Sequence, residues 1–380
     1  MMLSRNVNKI EISGIRKFYN KVAEVQGAIS LTLGEPDFKI PVEVKNAMKI
    51  AIDEDKTTYT PNAGILPLRQ EISKYLKGLG VEFSAEEICI TVGGSEGLLS
   101  TFTAILNPDD KVLIPSIAYP AYESCVKIAG GCILNYDLNE DLSINLDSVK
   151  KLIQEEKPKA IVVSHPSNPT GRAMTKVECD KLFEILKSED ILIISDEIYS
   201  SIIFGEFNSI SRYNDLKDRL VLISGFSKMF SMTGIRIGYV CAPKWILGNI
   251  IKVHQYNVSC APSIGQYGVL EGLKSCEYHL DYIKSKLMCR RDYIYDRILN
   301  MGLQVTKPEG AFYIFPSIKK FGISSDEFCE RLLNEAKVAI VPGSAFGKGG
   351  DGYVRISFCY SMEELKSALD LMEQWIKTIK

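Results

Sequence analysis

The sequence has few histidines, and neither its histidines nor its cysteines stand at the spacings of the common zinc sites. Three histidines occur among 380 residues, and no two of them stand at the short spacing of a metal-binding pair. The ten cysteines are scattered between Cys89 and Cys359, and none forms a C-x-x-C pair. We therefore expect a chemistry without a metal, and we interpret the cysteines as reduced, mostly buried thiols.

A dominant charge and a membrane-length apolar run are also missing. Lys and Arg total 45 against 47 Asp and Glu, which gives a net charge of −2. This balance predicts that neither nucleic acid nor an anionic membrane is a partner. Apolar runs such as residues 191–194 are far shorter than the roughly 18 residues that span a bilayer, and the amino terminus lacks the apolar core of a secretion signal. We expect a cytoplasmic protein that acts on a small molecule.

The sequence does contain a repeated alternation of strand-sized and helix-sized segments. Hydrophobic residues make up 46% of the chain, enough to bury a large core. From residue 86 onward, short runs rich in Ile and Val are each followed by a turn and an amphipathic stretch of helical length. Uninterrupted apolar runs are typical of parallel strands covered on both faces, so we predict an α/β fold with a doubly wound core. The runs are residues 88–92, 111–114, 160–164, 191–195 and 220–224.

A different pattern after about residue 272 predicts a second, smaller α+β domain. A long amphipathic helix is expected first, followed by a hairpin, a helix, a strand and a final helix. The expected elements are a helix at 275–300, hairpin strands at 303–305 and 311–315, a helix capped by Ser324, a strand at 352–358 and a helix capped by Ser361. We divide the chain into an amino-terminal arm that belongs in part to the small domain, 1–45, a large ligand-binding domain, 46–272, and the small domain, 273–380.

The residues that follow the predicted strands include groups that bind charged, aromatic ligands. In an open parallel sheet, ligands lie beyond the carboxyl ends of the strands. The glycine-rich segment 93–97 follows the first run and opens a helix, which favours a phosphate, although a plain turn explains it equally well. Tyr119 follows the second run and could lie on a flat ring, although a packed loop aromatic is the commoner meaning.

Three further strand ends carry an amide, an acid and a lysine. Asn168 stands between two prolines after the third run, Asp196 follows the fourth and Lys228 follows the fifth. Their spacings of 28 and 32 residues each correspond to about one βα unit, so we expect one crevice to hold all three. A lysine in this setting is a candidate Schiff-base nucleophile, whereas a lone lysine is usually just solvated.

Residues 225–238 resemble the pyridoxal-phosphate attachment signature of class I/II aminotransferases, the fold-type-I enzymes of the aspartate aminotransferase superfamily. The sequence there reads GFSKMFSMTGIRIG, with Lys228 at the attachment position. The resemblance implies a mostly parallel, seven-stranded sheet with helices on both faces and a smaller α+β domain. It covers most of the chain, from about Leu33 to Phe358. Further blocks similar to the family, in family order, are 59–69, 167–171, 195–199, 308–313 and 354–357.

The resemblance also implies an activity and a cofactor. The enzyme would move the amino group of an L-amino acid to a 2-oxo acid, with pyridoxal 5'-phosphate held by Lys228 as a Schiff base. Lys228 would then act as acid and base, Asp196 would pair with the pyridine nitrogen, and Tyr119 would stack on the ring. Asn168 and Tyr199 would hydrogen-bond to the ring oxygen. The resemblance thus implies three catalytic residues, which are Lys228, Asp196 and Tyr199.

The remaining implied contacts concern the phosphate and the substrate. Gly94, Ser95 and Arg236 would hold the phosphate. Tyr59 would reach the phosphate of a neighbouring subunit, which implies a homodimer with composite sites. Arg355 would clamp the α-carboxylate of the substrate by a bidentate contact, with the substrate also close to Gly34 and Asn168.

Two positions depart from the family pattern, and other activities stay open. Many relatives carry a phosphate-binding Ser where this chain has Gly225, and no Arg occurs between Ile237 and Cys289, where the classical aspartate enzymes take their side-chain-binding arginine. Dicarboxylate specificity by that route is therefore unsupported, and the amino donor stays open. The alternatives are a carbon-sulfur β-lyase on the same scaffold and a non-catalytic module that senses pyridoxal phosphate. A P-loop at 343–349 is excluded, because the spacing is one residue short and no Ser or Thr follows the lysine.

Overall fold

The strands of the computed structural model, which describes residues 3–379, form one large sheet and two small ones. Strand residues in the large sheet are mostly buried, in keeping with their apolar sequence. The strands are β1 (Ile29–Ser30), β2 (Ile88–Thr91), β3 (Lys111–Pro115), β4 (Cys132–Tyr136), β5 (Ala160–Ser164), β6 (Leu192–Asp196), β7 (Leu220–Gly225), β8 (Gly238–Cys241), β9 (Tyr313–Ile314), β10 (Val338–Ala339), β11 (Val341–Pro342) and β12 (Val354–Ser357).

The helices cover both faces of the large sheet and build the second part of the molecule. They are α1 (Gly14–Ala23), α2 (Val42–Asp53), α3 (Leu66–Gly78), α4 (Gly93–Ile105), α5 (Ala121–Ile128), α6 (Leu146–Glu156), α7 (Lys176–Leu186), α8 (Phe226–Met229), α9 (Lys244–Val258), α10 (Ser263–Ser275), α11 (Glu277–Asn300), α12 (Ser325–Ala336) and α13 (Met362–Ile376). None of the helices within residues 3–379 is both long and apolar enough to cross a membrane.

The large sheet has seven strands in the order β2-β8-β7-β6-β5-β3-β4. Strands β3 to β7 are parallel, whereas β8 runs antiparallel to both of its neighbours, β2 and β7. Alternate strand residues face opposite sides. Ile161 and Ile193 pack in the core under one face, and Val162 and Ile194 pack under the other. The predicted α/β class and the mostly parallel sheet are confirmed.

A separate hydrophobic core lies around the short strands β9 to β12. Residues of α11, α12 and α13 pack there, and the first part of the chain joins them through Phe18 and Leu31. Strand β1 pairs in parallel with β10, so the amino-terminal arm is tied to the carboxy-terminal part. Ser361 forms a full capping box with Glu364 at the start of α13, as its sequence predicts. The domain bounds at 45/46 and 272/273 stay predictions.

The predicted hairpin of residues 303–305 and 311–315 is wrong. Strand β9 pairs with β12 instead, and residues 303–305 form no strand. The intervening segment hydrogen-bonds to the loops of the large sheet: the amides of Glu309 and Gly310 donate to the carbonyl oxygen of Gly171, and Ala311 donates to Ile202. These long-range bonds replace the local pairing that the sequence pattern suggested.

Candidate active site

A cavity of about 440 Å³ opens at the carboxyl ends of the parallel strands. Its walls come from the segments that follow β2, β3, β5, β6 and β7, together with α1 and β12. Because loops converge at that edge of a parallel sheet, residues far apart in the sequence meet here. Ten of the eleven predicted site residues line this cavity: Gly34, Gly94, Ser95, Tyr119, Asn168, Asp196, Tyr199, Lys228, Arg236 and Arg355.

Tyr59 is the predicted site residue that does not reach the cavity. Its side chain is 86% exposed and lies outside the cavity wall of its own chain. A single chain therefore shows no role for Tyr59, and its contact with a neighbouring subunit stays a prediction.

One end of the cavity is built to hold an anion. Helix α4 begins directly after β2, and its first turn places Gly94 and Ser95 on the cavity wall. The first amide groups of a helix have no partner within the helix, and the helix dipole adds positive potential. The guanidinium of Arg236 lies beside this turn and donates to the carbonyl oxygen of Thr233 at 2.7 Å. Arg236 has no ion pair in the described part of the chain, so it is available to a phosphate.

This anion-binding end depends on a close approach of backbone to backbone. Gly238 pairs with Thr91 of β2 on one side and with Gly225 of β7 on the other. A Cβ atom at position 238 would lie 2.5 Å from the carbonyl carbon of Gly93 and 2.7 Å from the nitrogen of Gly94. Glycine at this position therefore lets β8 lie against the start of α4.

Asp196 is a buried carboxylate that lacks a cationic partner among residues 3–379. Its Oδ2 accepts a hydrogen bond of 2.6 Å from the hydroxyl of Tyr122, and its Oδ1 accepts one of 3.1 Å from the amide of Ile198. Burial raises the pKa of Asp196 above its usual value, because the charged form loses hydration. These two contacts fix the carboxyl group at the end of β6, where a positively charged ligand atom would stabilise it.

Lys228 is the amine on the cavity wall, and short helix α8 carries it directly after β7. Its Nζ donates to the carbonyl oxygen of Gly34, which also lines the cavity. Desolvation lowers the pKa of Lys228 from 10.5 to about 8. An amine with this pKa is neutral far more often at physiological pH than an ordinary lysine, which makes it a competent nucleophile and base.

Arg355 is a buried guanidinium that has no carboxylate partner in the described residues. Strand β12 carries it into the cavity, where its Nη1 donates to Oδ1 of Asn168 at 3.0 Å and its Nη2 donates to the carbonyl oxygen of Thr32 at 2.5 Å. The ring of Tyr313 lies 4.4 Å from its Cζ atom. A buried cation held only by neutral groups is a strong site for a ligand carboxylate.

The comparisons with known proteins identify the family. Residues 26–371 match the model described as "Aminotransferase class I and II". The chain belongs to this family. It is 44% identical to the "Probable N-acetyl-LL-diaminopimelate aminotransferase" of Bacillus subtilis (strain 168), over 99% of this chain and 96% of that protein. It is 38% identical to the aspartate aminotransferase of Pyrococcus abyssi, with both chains fully covered.

Solved structures agree with this assignment. The aspartate aminotransferase from Thermus thermophilus with maleate superposes with a TM-score of 0.93 at 33% identity, covering 98% of this chain and 99% of that one. The resemblance seen in the sequence is thereby confirmed. This class I/II aminotransferase is an enzyme that transfers amino groups between amino acids and 2-oxo acids and uses pyridoxal 5'-phosphate.

The residues of this aminotransferase fit the cofactor. The first turn of α4 and Arg236 offer a site for its phosphate, and the unpaired carboxyl group of Asp196 suits a protonated ring nitrogen. Lys228 supplies an amine of lowered pKa for the aldehyde. The cavity thus provides one matching group for each polar part of the cofactor.

Two tyrosines of this aminotransferase were missed by the sequence interpretation. Tyr122 holds Asp196 from a position three residues after Tyr119, in the same short motif. Tyr313 shares a hydrogen bond of 2.8 Å with the hydroxyl of Tyr199 and stacks against Arg355. The family block 308–313 ends at Tyr313, so that block was the available signal.

Helix α1 was also missed as part of the cavity wall. Ser13, at its N-cap, and Ile15, Arg16 and Tyr19 within it line the outer side of the cavity. No motif marks this segment, because its side chains reach the cavity only through the packing of α1 against the carboxy-terminal part of the chain.

Proposed function

We propose that this aminotransferase moves the amino group of an L-amino acid to a 2-oxo acid within the cavity, with Lys228 as acid and base. The observation that carries the proposal is the convergence of Lys228, Asp196 and Arg355 on one cavity. Each is a charged or titratable group without an ion pair in the described residues. The lowered pKa of Lys228, about 8, suits a group that both takes and gives protons near neutral pH.

The proposed proton transfers are carried out by Lys228 and supported by Asp196. Pyridoxal phosphate, when bound, supplies the electron-withdrawing ring that makes Cα of the amino acid acidic. Asp196 would stabilise a proton on the ring nitrogen of the cofactor, and Tyr122 with the amide of Ile198 holds that carboxylate in place. With the cofactor bound, the Nζ atom of Lys228 would take the proton from Cα of the amino acid as a base and would give it back as an acid later in the transfer.

The substrate is oriented by Arg355. Its guanidinium is fixed by Asn168, Thr32 and Tyr313, so it loses little side-chain freedom when a carboxylate binds. Gly34 lines the same cavity, and its missing side chain leaves room for the ring of Tyr313. A Cβ there would come 2.2 Å from the hydroxyl of Tyr313.

A Lys228→Ala variant tests this function. We expect it to bind pyridoxal phosphate through the phosphate and ring contacts but to lose turnover by at least about a hundredfold, because the acid and base is gone. The measurement is the rate of 2-oxo acid formation, with bound cofactor measured in the same sample. Turnover close to that of the wild type would show that another group moves the proton.

The two alternative functions gain no support. The similar proteins are named as aminotransferases, and nothing in the cavity distinguishes a leaving sulfur group. A module that only senses the cofactor would not require the buried Arg355 that the cavity presents to a substrate carboxylate.

We infer that two copies of the chain form a dimer with composite sites. Tyr59 and Tyr256 are 86% and 89% exposed, and each lies three residues from a partner of the hydrogen bond of 2.7 Å that Asn62 donates to the carbonyl oxygen of Ser259. Large exposed rings in one region are typical of a contact surface.

Mixing Tyr59→Phe subunits with Arg236→Ala subunits tests whether the sites are composite. Composite sites predict that each mixed dimer has one intact site of two, so an equimolar mixture in which about half of the dimers are mixed regains about a quarter of wild-type activity. No recovery in proven mixed dimers contradicts the proposal.

Location and other partners rest on composition alone. A cytoplasmic site of action stays a prediction, which cell fractionation would test. The near-neutral net charge of −2 supports the prediction that the enzyme does not bind nucleic acid or anionic membranes.

A further inference from the structure

The outer wall of the cavity carries a cation that the proposed chemistry does not use. Arg16 of α1 lines the cavity, and its guanidinium forms neither an ion pair nor a hydrogen bond within residues 3–379. Its one contact of note is with the ring of Tyr19, whose centroid lies 5.8 Å from the Arg16 Cζ atom. The other cations of the same helix differ. Lys17 pairs with Glu11 at 2.6 Å, and Lys21 pairs with Glu330 at 3.1 Å.

The charges that line the cavity leave Arg16 without an anion. Four cationic side chains line it, and Asp196 is the one carboxylate among the described lining residues. In the proposed function, on which this inference rests, Arg236 binds the phosphate, Arg355 binds the α-carboxylate and Lys228 moves protons. A ligand with one further negative charge would match Arg16.

Packing places Arg16 on the substrate side of the cavity. Ile15 packs against the small core that contains Phe346, and the Phe346 ring lies 5.0 Å from Cζ of Arg355. A Cβ at Gly14 would lie 2.8 Å from Cβ of Ala345, so α1 is seated closely on the segment that carries Phe346. The wall that surrounds Arg16 is therefore continuous with the α-carboxylate site.

The side chains around Arg16 define the ligand. Ile15, Tyr19 and Leu33 line the same cavity as Arg16 and offer an apolar surface that suits methylene groups, and Arg16 itself contacts the ring of Tyr19. We propose that Arg16 binds the distal carboxylate of acidic amino acids and 2-oxo acids, and so selects substrates whose apolar stem ends in a negative charge. This assignment supplies the acid recognition for which no arginine exists between Ile237 and Cys289.

An Arg16→Gln variant tests the proposal, with Lys17→Gln as its matched control on the same helix. The substrates are L-glutamate and L-glutamine, which have the same length and differ in the terminal charge. We expect Arg16→Gln to lower the ratio of kcat/KM for L-glutamate to kcat/KM for L-glutamine about tenfold, because one charge-assisted contact is lost. Lys17→Gln should keep the wild-type ratio.

Binding of two inert acids provides a second readout. Glutarate and pentanoate have equal chain lengths, and calorimetry measures their affinities without turnover. Arg16→Gln should lower the affinity for glutarate about tenfold and leave the affinity for pentanoate unchanged. Added salt should reduce the preference of the wild type for glutarate. If the L-glutamate to L-glutamine ratio and the glutarate to pentanoate ratio were the same in Arg16→Gln and in the wild type, the role of Arg16 would be overturned and the proposed function would stand. Failure of the wild type to transaminate any amino acid would instead overturn the proposed function.

Discussion

Lys228 owes its reactivity to its surroundings. The protein displaces water from the amine and lowers its pKa from 10.5 to about 8, while the carbonyl oxygen of Gly34 accepts its hydrogen bond. Attack on an aldehyde requires the neutral amine. We therefore predict that the rate at which apoenzyme captures pyridoxal phosphate rises with pH and levels off above about 8. Stopped-flow absorbance between pH 6 and 10 measures this, and a midpoint near 10 would contradict the lowered pKa.

Arg355 tests the substrate assignment at a single side chain. Its planar fork offers two parallel donors to a carboxylate, which an ammonium group cannot reproduce. Arg355→Lys should weaken the binding of amino acids and 2-oxo acids by a similar factor, at least about tenfold, whatever their side chain. Cofactor binding should stay nearly unchanged. The measurement is the KM series over substrates with different side chains. A loss confined to one substrate would show that Arg355 reads the side chain instead.

The residue types in the site were more predictable from the sequence than their supports. The strand ends that carry Lys228, Asp196 and Asn168 belong to apolar strands that are easily recognised in the sequence. Because the carboxyl ends of parallel strands meet at one edge of a sheet, the sequence alone predicts that these three residues lie together. Tyr313 and Arg16 could not be placed in that way. Their contacts with the cavity come from packing between distant parts of the chain, which no local pattern records.

At the scale of elements, the junction of β2, β8 and α4 is the part of the fold on which the phosphate site depends. A Cβ at Gly238 would meet the backbone of Gly93 and Gly94, and backbone cannot move aside as a flexible side chain can. Gly238→Ala should therefore lower the free energy of unfolding by about 1–3 kcal/mol and weaken the binding of pyridoxal phosphate. Urea unfolding and cofactor dissociation measure the two effects.

Gly248 provides the control for that substitution. It lies exposed in α9, and a Cβ there would meet nothing within 4 Å. Gly248→Ala should leave cofactor binding unchanged and stabilise the helix by up to about 1 kcal/mol. If both alanine variants behaved alike, the close approach at Gly238 would not control the phosphate site.

Elements with strong apolar patterns were predicted well, and those that depend on distant partners were not. The five predicted strands of the large sheet are present, and α11 begins at Glu277, two residues from its predicted start. Strand β4 was not predicted: it lies at the edge of the sheet and keeps two exposed residues. Strand β8 was not predicted either: it begins at Gly238, the last residue of the family signature, whose residues were interpreted for chemistry.

At the scale of the whole molecule, the cavity is shared between parts of the chain that lie far apart in the sequence. Strand β6 contributes Asp196, and α8, directly after β7, contributes Lys228. Strand β12 contributes Arg355 and α1 contributes Arg16. A change in how α1 and β12 pack against the sheet would therefore alter substrate binding while leaving the cofactor groups in place.

The most direct test of the account follows the amino group itself. Purified protein with bound pyridoxal phosphate is incubated with a panel of α-¹⁵N-labelled L-amino acids and an unlabelled 2-oxo acid, and the products are analysed by mass spectrometry. We predict that ¹⁵N appears in the amino acid formed from the 2-oxo acid, and that Lys228→Ala abolishes this transfer. Release of the label as free ammonia, or no transfer from any amino acid in the panel, would contradict it.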